Sequence, residues 1–306
     1  MMNRSRIVFW CAKKEVKFLS CRIGVVIPTY NAGSELAVLL EAVNNQTSAI
    51  VRKIIIDSSS VDRTVSIAKE KQWETIIIPK EDFGHGKTRQ QAVVLLQNEV
   101  DFIIFLTQDV IIKDREAFKK LLKVFQNKRI GAAYGRQLPK SNASFEARLL
   151  REFNYPSFSS QKFLTDITKY GIKTAFLSDS FAAYRVEALK KIGGFPAHVN
   201  MSEDMYVGAK MLLENYGIAY VAEAEVYHSH NFTLTQHWKR YESIGAFHRQ
   251  EKWLLDIFGK SEGEGIKLLK TMLETAVKER EYMAIPWIII GNAIKYIGYL
   301  KGKSGI

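Results

Sequence analysis

The sequence predicts an α/β fold built on a mostly parallel sheet with helices on both faces. Three observations carry that expectation. Short, near-continuous apolar runs alternate with segments of helical spacing through the first 125 residues. The runs lack the alternation of a sheet with one wet face, so each strand is expected to be covered on both sides. Each run also ends on polar residues, and in open α/β sheets ligands bind at the carboxyl ends of the strands.

The elements follow in order. Residues 23–28 (IGVVIP) form the first strand, and 34–46 have helical spacing with Ser34 at the N-cap. A second strand spans 51–57, followed by a helix over 62–71. A third spans 73–79, with a helix over 86–97, and a fourth spans 101–106, with a helix over 114–125. In the second half, 173–195 reads as an extended segment, a strand, a short helix and a Gly-Gly-Phe stop. Glu203-Asp204 opens a helix to Tyr216, 217–228 is a strand, and the chain is helical from Thr233. The tail at 283–303 is apolar but carries Pro286, Asn292 and Lys295. It is marginal against the ~20 residues a spanning helix needs, and reads as an interfacial helix or one packed on the domain.

Six prolines and no low-complexity tract argue against a long disordered linker. The net charge of +12 suits nucleic acid, anionic lipid or phosphorylated small molecules. The basic residues are scattered, with no arginine-rich arm or nucleic-acid-binding motif, which turns the expectation away from nucleic acid. Cys11 and Cys21, the only cysteines, make neither a disulfide framework nor a four-ligand zinc site. The apolar stretch before Lys13 is shorter than the ~7–15 residues of a signal core, so a cytoplasmic protein is expected.

The four polar strand ends carry Thr29-Tyr30-Asn31, Asp57-Ser58-Ser59-Ser60, Lys80-Glu81-Asp82 and Thr107-Gln108-Asp109. Asp109 follows a buried run, where an ionised carboxylate is costly unless paired; it either caps a turn or meets a ligand. FGHGKTRQQA (83–92) is not a P-loop, because the required first glycine is replaced by Glu81. It still offers helix N-terminal amides with His85, Lys87 and Arg89 nearby, an anion site or a solvated turn. In NMSEDMYVGAK (200–210), Glu203 and Asp204 either cap a helix or supply a general base, since adjacent carboxylates raise one another's pKa. In VYHSHNFT (226–233), His228 and His230 share one face and suit a metal, with Asp109, or a phosphate.

VVIPTYN, IDSSSVDRT, the acid after the fourth strand, GGF and SEDM, in that order, resemble the inverting nucleotide-sugar glycosyltransferases of family 2, with the GT-A fold. FGHGKTRQ, FLTQDV, AAYGRQLP, SEDM and VYHSHNFT resemble more narrowly the rhamnosyltransferase branch of bacterial surface-polysaccharide synthesis. The resemblance covers about 22–250, leaving an N-terminal extension (1–21) and a C-terminal helical extension (251–306) that suits a membrane surface.

The resemblance implies that Pro28, Thr29, Tyr30, Asn31 and Asp57, with Ser59 and Gln108 on the same rim, hold the nucleotide, and that Arg89 lies near the diphosphate. It implies that Asp109 binds a divalent cation, Mg²⁺ or Mn²⁺. Thr107 stands where the family's motif has its first aspartate, which raises the expectation that His228 or His230 completes the ligand set. Asp204 matches the catalytic base and Glu203 is its neighbour; Asp179 is expected to touch the sugar or acceptor. QHWKR (236–240) only loosely resembles the motif of processive members, so one sugar per encounter is expected. The implied donor is a nucleotide-diphospho-sugar, dTDP-L-rhamnose first and a UDP-hexose or UDP-N-acetylhexosamine second. The implied acceptor is a saccharide on polyprenyl diphosphate, met by an enzyme at the inner face of the cell membrane. The lost acid at Thr107 also raises the alternative of a non-catalytic nucleotide-sugar-binding scaffold.

Overall fold

The computed structural model describes residues 21–260 and 262–305. Cys11 and nearly all of the expected N-terminal extension lie outside the described residues. The first half alternates as its apolar runs predict: β1 (Ile23–Thr29), α1 (Glu35–Asn44), β2 (Ile50–Asp57), α2 (Thr64–Glu70), β3 (Glu74–Ile77), α3 (His85–Leu96) and β4 (Phe102–Leu106). A two-residue strand β5 (Ile111–Ile112) and α4 (Ala117–Leu122) follow. Ser34 occupies the N-cap position of α1, yet its side chain makes no capping bond.

Between 126 and 172 the structure adds elements that periodicity does not announce: β6 (Ile130–Leu138), α5 (Phe145–Asn154), β7 (Ser160–Lys162) and the single turn α6 (Ile167–Tyr170). Gly131 and Gly135 interrupt the apolar pattern of β6, because a side chain at 135 would strike the Phe181 ring and the Ala224 carbonyl. Then come β8 (Phe181–Arg185), α7 (Val186–Ile192), α8 (Glu203–Leu213) and β9 (Gly217–Tyr227). Four helices close the chain: α9 (Leu234–Gln250), α10 (Lys252–Phe258), α11 (Glu262–Lys278) and α12 (Ala284–Ser304).

The sheet runs β3-β2-β1-β4-β8-β6-β9-β5, with β7 on β9. Strands β1 to β4, β6 and β9 point one way, and β8, β5 and β7 run against them. Successive residues of the central strands alternate between two cores. Val26, Ile54, Ile56, Ile103 and Phe105 face one, and Val25, Ile27, Ile55, Ile104 and Leu106 the other. Covering both faces turns each of these central strands into a continuous apolar run, the pattern visible in the sequence, whereas β3, expected to be covered too, lies at the sheet edge with Ile77 exposed. Polar groups are thereby forced to the strand ends, and β2, β1 and β4 set their carboxyl ends side by side.

The C-terminal tail is a helix docked through its glycines. A Cβ at Gly302 would lie 1.9 Å from the Glu242 carbonyl, and one at Gly298 would lie 2.8 Å from the Trp238 carbonyl, so α9 and α12 meet backbone to backbone. Many bulky residues of α12 lie off this contact, and Trp287, Ile289, Ile290, Tyr296, Ile297 and Leu300 are exposed, whereas Ile288 and Tyr299 are buried. Lys295, the one charged residue between 283 and 300, is buried against Glu146 of α5. No helix among the described residues is long and apolar enough to cross a membrane.

Candidate active site

The rim begins where β1 and β2 end, with Thr29 paired to Asp57 in register. Pro28 lies within β1. Asp57 is fully buried and its carboxylate accepts from Thr29 Oγ1 (2.8 Å), Ser60 N (2.8 Å) and Ser60 Oγ (2.6 Å). Gln108 ties β4 to β1 by accepting from Tyr30 N (2.8 Å) and donating to Tyr30 O (3.1 Å). Asn31 accepts from Val61 N at 3.0 Å, and Ser59 Oγ donates to Ile78 O at 2.8 Å. Asn31 and Ser59 hold φ of 46° and 59°, a conformation that costs energy in L residues and clusters at functional sites. Lys80 Nζ donates to the Tyr30 hydroxyl at 2.7 Å.

At the start of α3, Lys87 is exposed and paired with Asp82. Burial, with Arg89 and Arg240 adding to it, lowers His85 to about 4 and leaves it neutral at pH 7. Gly86 is required by packing, since its Cβ would lie 2.0 Å from the Pro196 carbonyl.

Arg89 points inward. Its guanidinium is buried between Asp179 (Nε to Oδ2, 2.8 Å) and Glu203 (Nη1 to Oε1, 2.9 Å). The Tyr184 hydroxyl donates to the same Asp179. Asp204 stands beside this cluster, partly buried, with Oδ1 accepting from Met205 N at 2.8 Å. Ser202, just before the pair, has φ 67°, which turns the two acids into the cluster at the start of α8. Burial, reinforced by Asp179, raises Asp204 to about 6, and burial outweighs Arg89 to push Glu203 up as well. A carboxylate poised near neutrality can take a proton.

The third group forms where β5 pairs with β9. Ile111 lies opposite Tyr227 and Ile112 opposite Val226, so the residues just outside the pairing are Asp109 on one side and His228 to His230 on the other. Asp109 Oδ2 is 3.3 Å from His228 Nε2 and 3.5 Å from His230 Nε2. Two ligands held ~2.1 Å from a shared cation sit about 3.0–3.4 Å apart, so this spacing fits one. His228 Nε2 is buried and makes no hydrogen bond, although it faces a carboxylate. Burial lowers His228 and takes His230 to about 4, which leaves both imidazoles neutral with a lone pair to offer. The three side chains are able to hold a metal ion.

The acid cluster and the histidine cluster flank the same turn, because Thr107 N donates to Ser180 O at 3.3 Å. A groove of about 730 Å³ opens beside Asp109, lined in part by Glu35, Val38, Ile111, Lys140 and Tyr227. Tyr184 and Arg151 enter these clusters without a sequence signal, since each looks like an ordinary strand or helix residue, whereas Gln137 lies within the AAYGRQLP motif, which gives it no role.

Residues 24–193 match glycosyl transferase family 2, more than half of the chain. The chain belongs to that family. This family 2 glycosyltransferase is 42% identical over 283 residues to the O-antigen chain rhamnosyltransferase RfbN of Salmonella typhimurium, covering 92% of this chain and 90% of that protein. It is 40% identical over 280 residues to the O-antigen chain rhamnosyltransferase WbaN of Salmonella anatum, covering 91% and 88%. Its fold resembles the mannosyltransferase PcManGT of Pyrobaculum calidifontis, solved with GDP-Man and Mn²⁺, at TM-score 0.65 and 14% identity over 93% and 88% of the two chains. It also resembles S. aureus TarS 1–349, solved with UDP-GlcNAc, at TM-score 0.55 and 16% identity over 93% and 91%. The fold is therefore that of the GT-A glycosyltransferases.

Proposed function

We propose that this glycosyltransferase transfers L-rhamnose from dTDP-L-rhamnose to a lipid-linked saccharide in O-antigen synthesis, with inversion. The observation that carries the reading is 42% identity across 92% of the chain to an O-antigen chain rhamnosyltransferase. In this reading 22–250 is the catalytic unit and 251–306 a membrane-associating extension.

Asp204 is the base. Its partly buried carboxylate removes the proton of one acceptor hydroxyl as that oxygen attacks the anomeric carbon, and the bond to the nucleotide diphosphate breaks on the opposite face. One displacement inverts the anomer. Glu203 and Asp179 hold Arg89, and Arg89 in turn fixes the start of α8, so that Asp204 keeps its place at the cleft. Asp57, Thr29, Tyr30, Asn31, Ser59 and Gln108 form the nucleotide pocket, with Pro28 shaping its turn; His85 and Lys87 border it. Asp109, His228 and His230 hold a divalent cation, the two histidines standing in for the acid that Thr107 replaces. When bound, that cation offsets the charge of the diphosphate.

The exposed stripe of α12 suits the membrane that carries such an acceptor. Its aliphatic residues are free of charge, and Trp287 and Tyr296 are amphipathic side chains of the kind that settle at lipid headgroups. The deciding assay follows release of dTDP from dTDP-rhamnose, against a panel of UDP-sugars, with Mn²⁺ or Mg²⁺ and with EDTA. Turnover of a UDP-sugar in place of dTDP-rhamnose replaces the donor. Nucleotide binding with no turnover of any donor, even with lipid extract present, turns the reading to a non-catalytic scaffold.

A further inference from the structure

We infer that Gln137 is a positioning residue, which holds His228 in the tautomer that carries its proton on Nδ1 and turns the Nε2 lone pair toward Asp109. The metal reading above enters only as the use to which that lone pair is put.

Gln137 is buried near the end of β6. Its Oε1 accepts from Arg151 Nη1 at 2.5 Å and faces His228 Nδ1 at 2.8 Å, while its Nε2 donates to Ser178 Oγ at 2.8 Å. A guanidinium has donors only, so the amide oxygen must face Arg151; the reversed amide would set an NH₂ group against it. Ser178 both donates and accepts, and so has no vote. With Oε1 fixed by Arg151, the nitrogen of His228 that meets it must be the one bearing hydrogen.

A neutral imidazole carries a single N–H. Nε2 is therefore left with its lone pair, 3.3 Å from the Asp109 carboxylate and without a hydrogen bond. Two lone pairs cannot bond to each other, whereas a cation between them binds both. The opposite tautomer would let Nε2–H donate to Asp109 and close the site on itself. Gln137 prevents that closure. Such outer partners of ligating histidines commonly control both the tautomer and the metal affinity. Because Ser178 immediately precedes Asp179, the same amide also links the histidine cluster to the acid cluster.

The test uses the full chain labelled with ¹⁵N-histidine, with tautomers read from ¹H–¹⁵N spectra of metal-free protein and Mn²⁺ binding from calorimetry. Wild-type His228 is expected as the Nδ1–H tautomer. Gln137→Leu is expected to lose that tautomer and to weaken Mn²⁺ binding ten- to a hundredfold. Gln137→Glu, whose carboxylate accepts from both Arg151 and His228, is expected to keep the tautomer and bind Mn²⁺ at least as well as wild type. A wild-type His228 protonated on Nε2 overturns the inference, as does a Gln137→Leu protein that keeps the Nδ1–H form. Equal loss of Mn²⁺ binding in both variants also overturns it, because a merely structural glutamine would behave that way. Should Gln137→Leu fail to fold, the wild-type spectrum and Gln137→Glu decide. Wild type with the Nδ1–H form but no Mn²⁺ uptake sinks the metal reading and leaves the tautomer assignment standing.

Discussion

Two side-chain clusters flank the Thr107–Asp109 turn, one of buried acids and one of an acid with two histidines, and they differ in the source of their positive charge. Asp179 and Glu203 share Arg89, a cation supplied by α3 and nearly inaccessible to solvent. Asp109 faces two imidazoles that burial keeps neutral, with one ring nitrogen unbonded. The first cluster has a cation of its own within the chain and is complete in that sense; the second has none among its three side chains and is open to a guest. Removing charge from a complete cluster should cost folding stability, whereas altering the open one should cost ligand affinity. Asp57 makes the same point from the rim: three protein donors satisfy it, so it shapes the pocket without needing a cation.

The sharpest way to break this contrast is Asp204→Asn, expected to slow turnover by ~10²–10⁴-fold with an unchanged melting temperature. A large loss of stability instead would make Asp204 part of the structural clamp. Next is Arg89→Met, which leaves two buried acids without their cation and should cost about 3–5 kcal/mol in urea denaturation. His230→Ala, at an exposed position of the open cluster, should weaken Mn²⁺ uptake in calorimetry and barely shift the urea midpoint. If the two variants exchanged phenotypes, the division into complete and open clusters would be wrong.

The pH profile sharpens the same division. As the proposed base, Asp204 would work only when ionised, and burial raises it to about 6. The plot of kcat/KM against pH should therefore level off above that value and fall about tenfold per pH unit below it. An inflection left in place by Asp204→Asn, measured on its residual activity, assigns the titration to another group. The smallest effect expected is that of Thr233→Ala at the start of α9, where Oγ1 accepts from Gln236 N and Gln236 returns a bond to Thr233 N. Its loss should cost ~1 kcal/mol of stability, with Mn²⁺ affinity unchanged.

Much of the first half was legible. A strand buried on both faces must be apolar along its length, so β1, β2 and β4 announce themselves, and their polar ends mark the rim. β6 was not legible, because its glycines answer to Phe181 and Ala224, neighbours far away in sequence. Arg89 shows the same limit at the site. FGHGKTRQ suggests a basic loop turned toward an anion, yet the side chain turns inward to acids 90 and 114 positions away.

By itself, then, the sequence determined the α/β class, the edge of the sheet that carries chemistry, and the residue types gathered there. These follow from local periodicity and from the cost of burying polar groups. Tertiary structure alone decided which acid received an internal cation, which histidine nitrogen was left bare, and which face of α12 was turned outward. Each of those outcomes depends on pairing partners distant along the chain, such as Asp179 with Arg89, Gln137 with His228, and Gly302 with Glu242, whose separations carry no periodic signal.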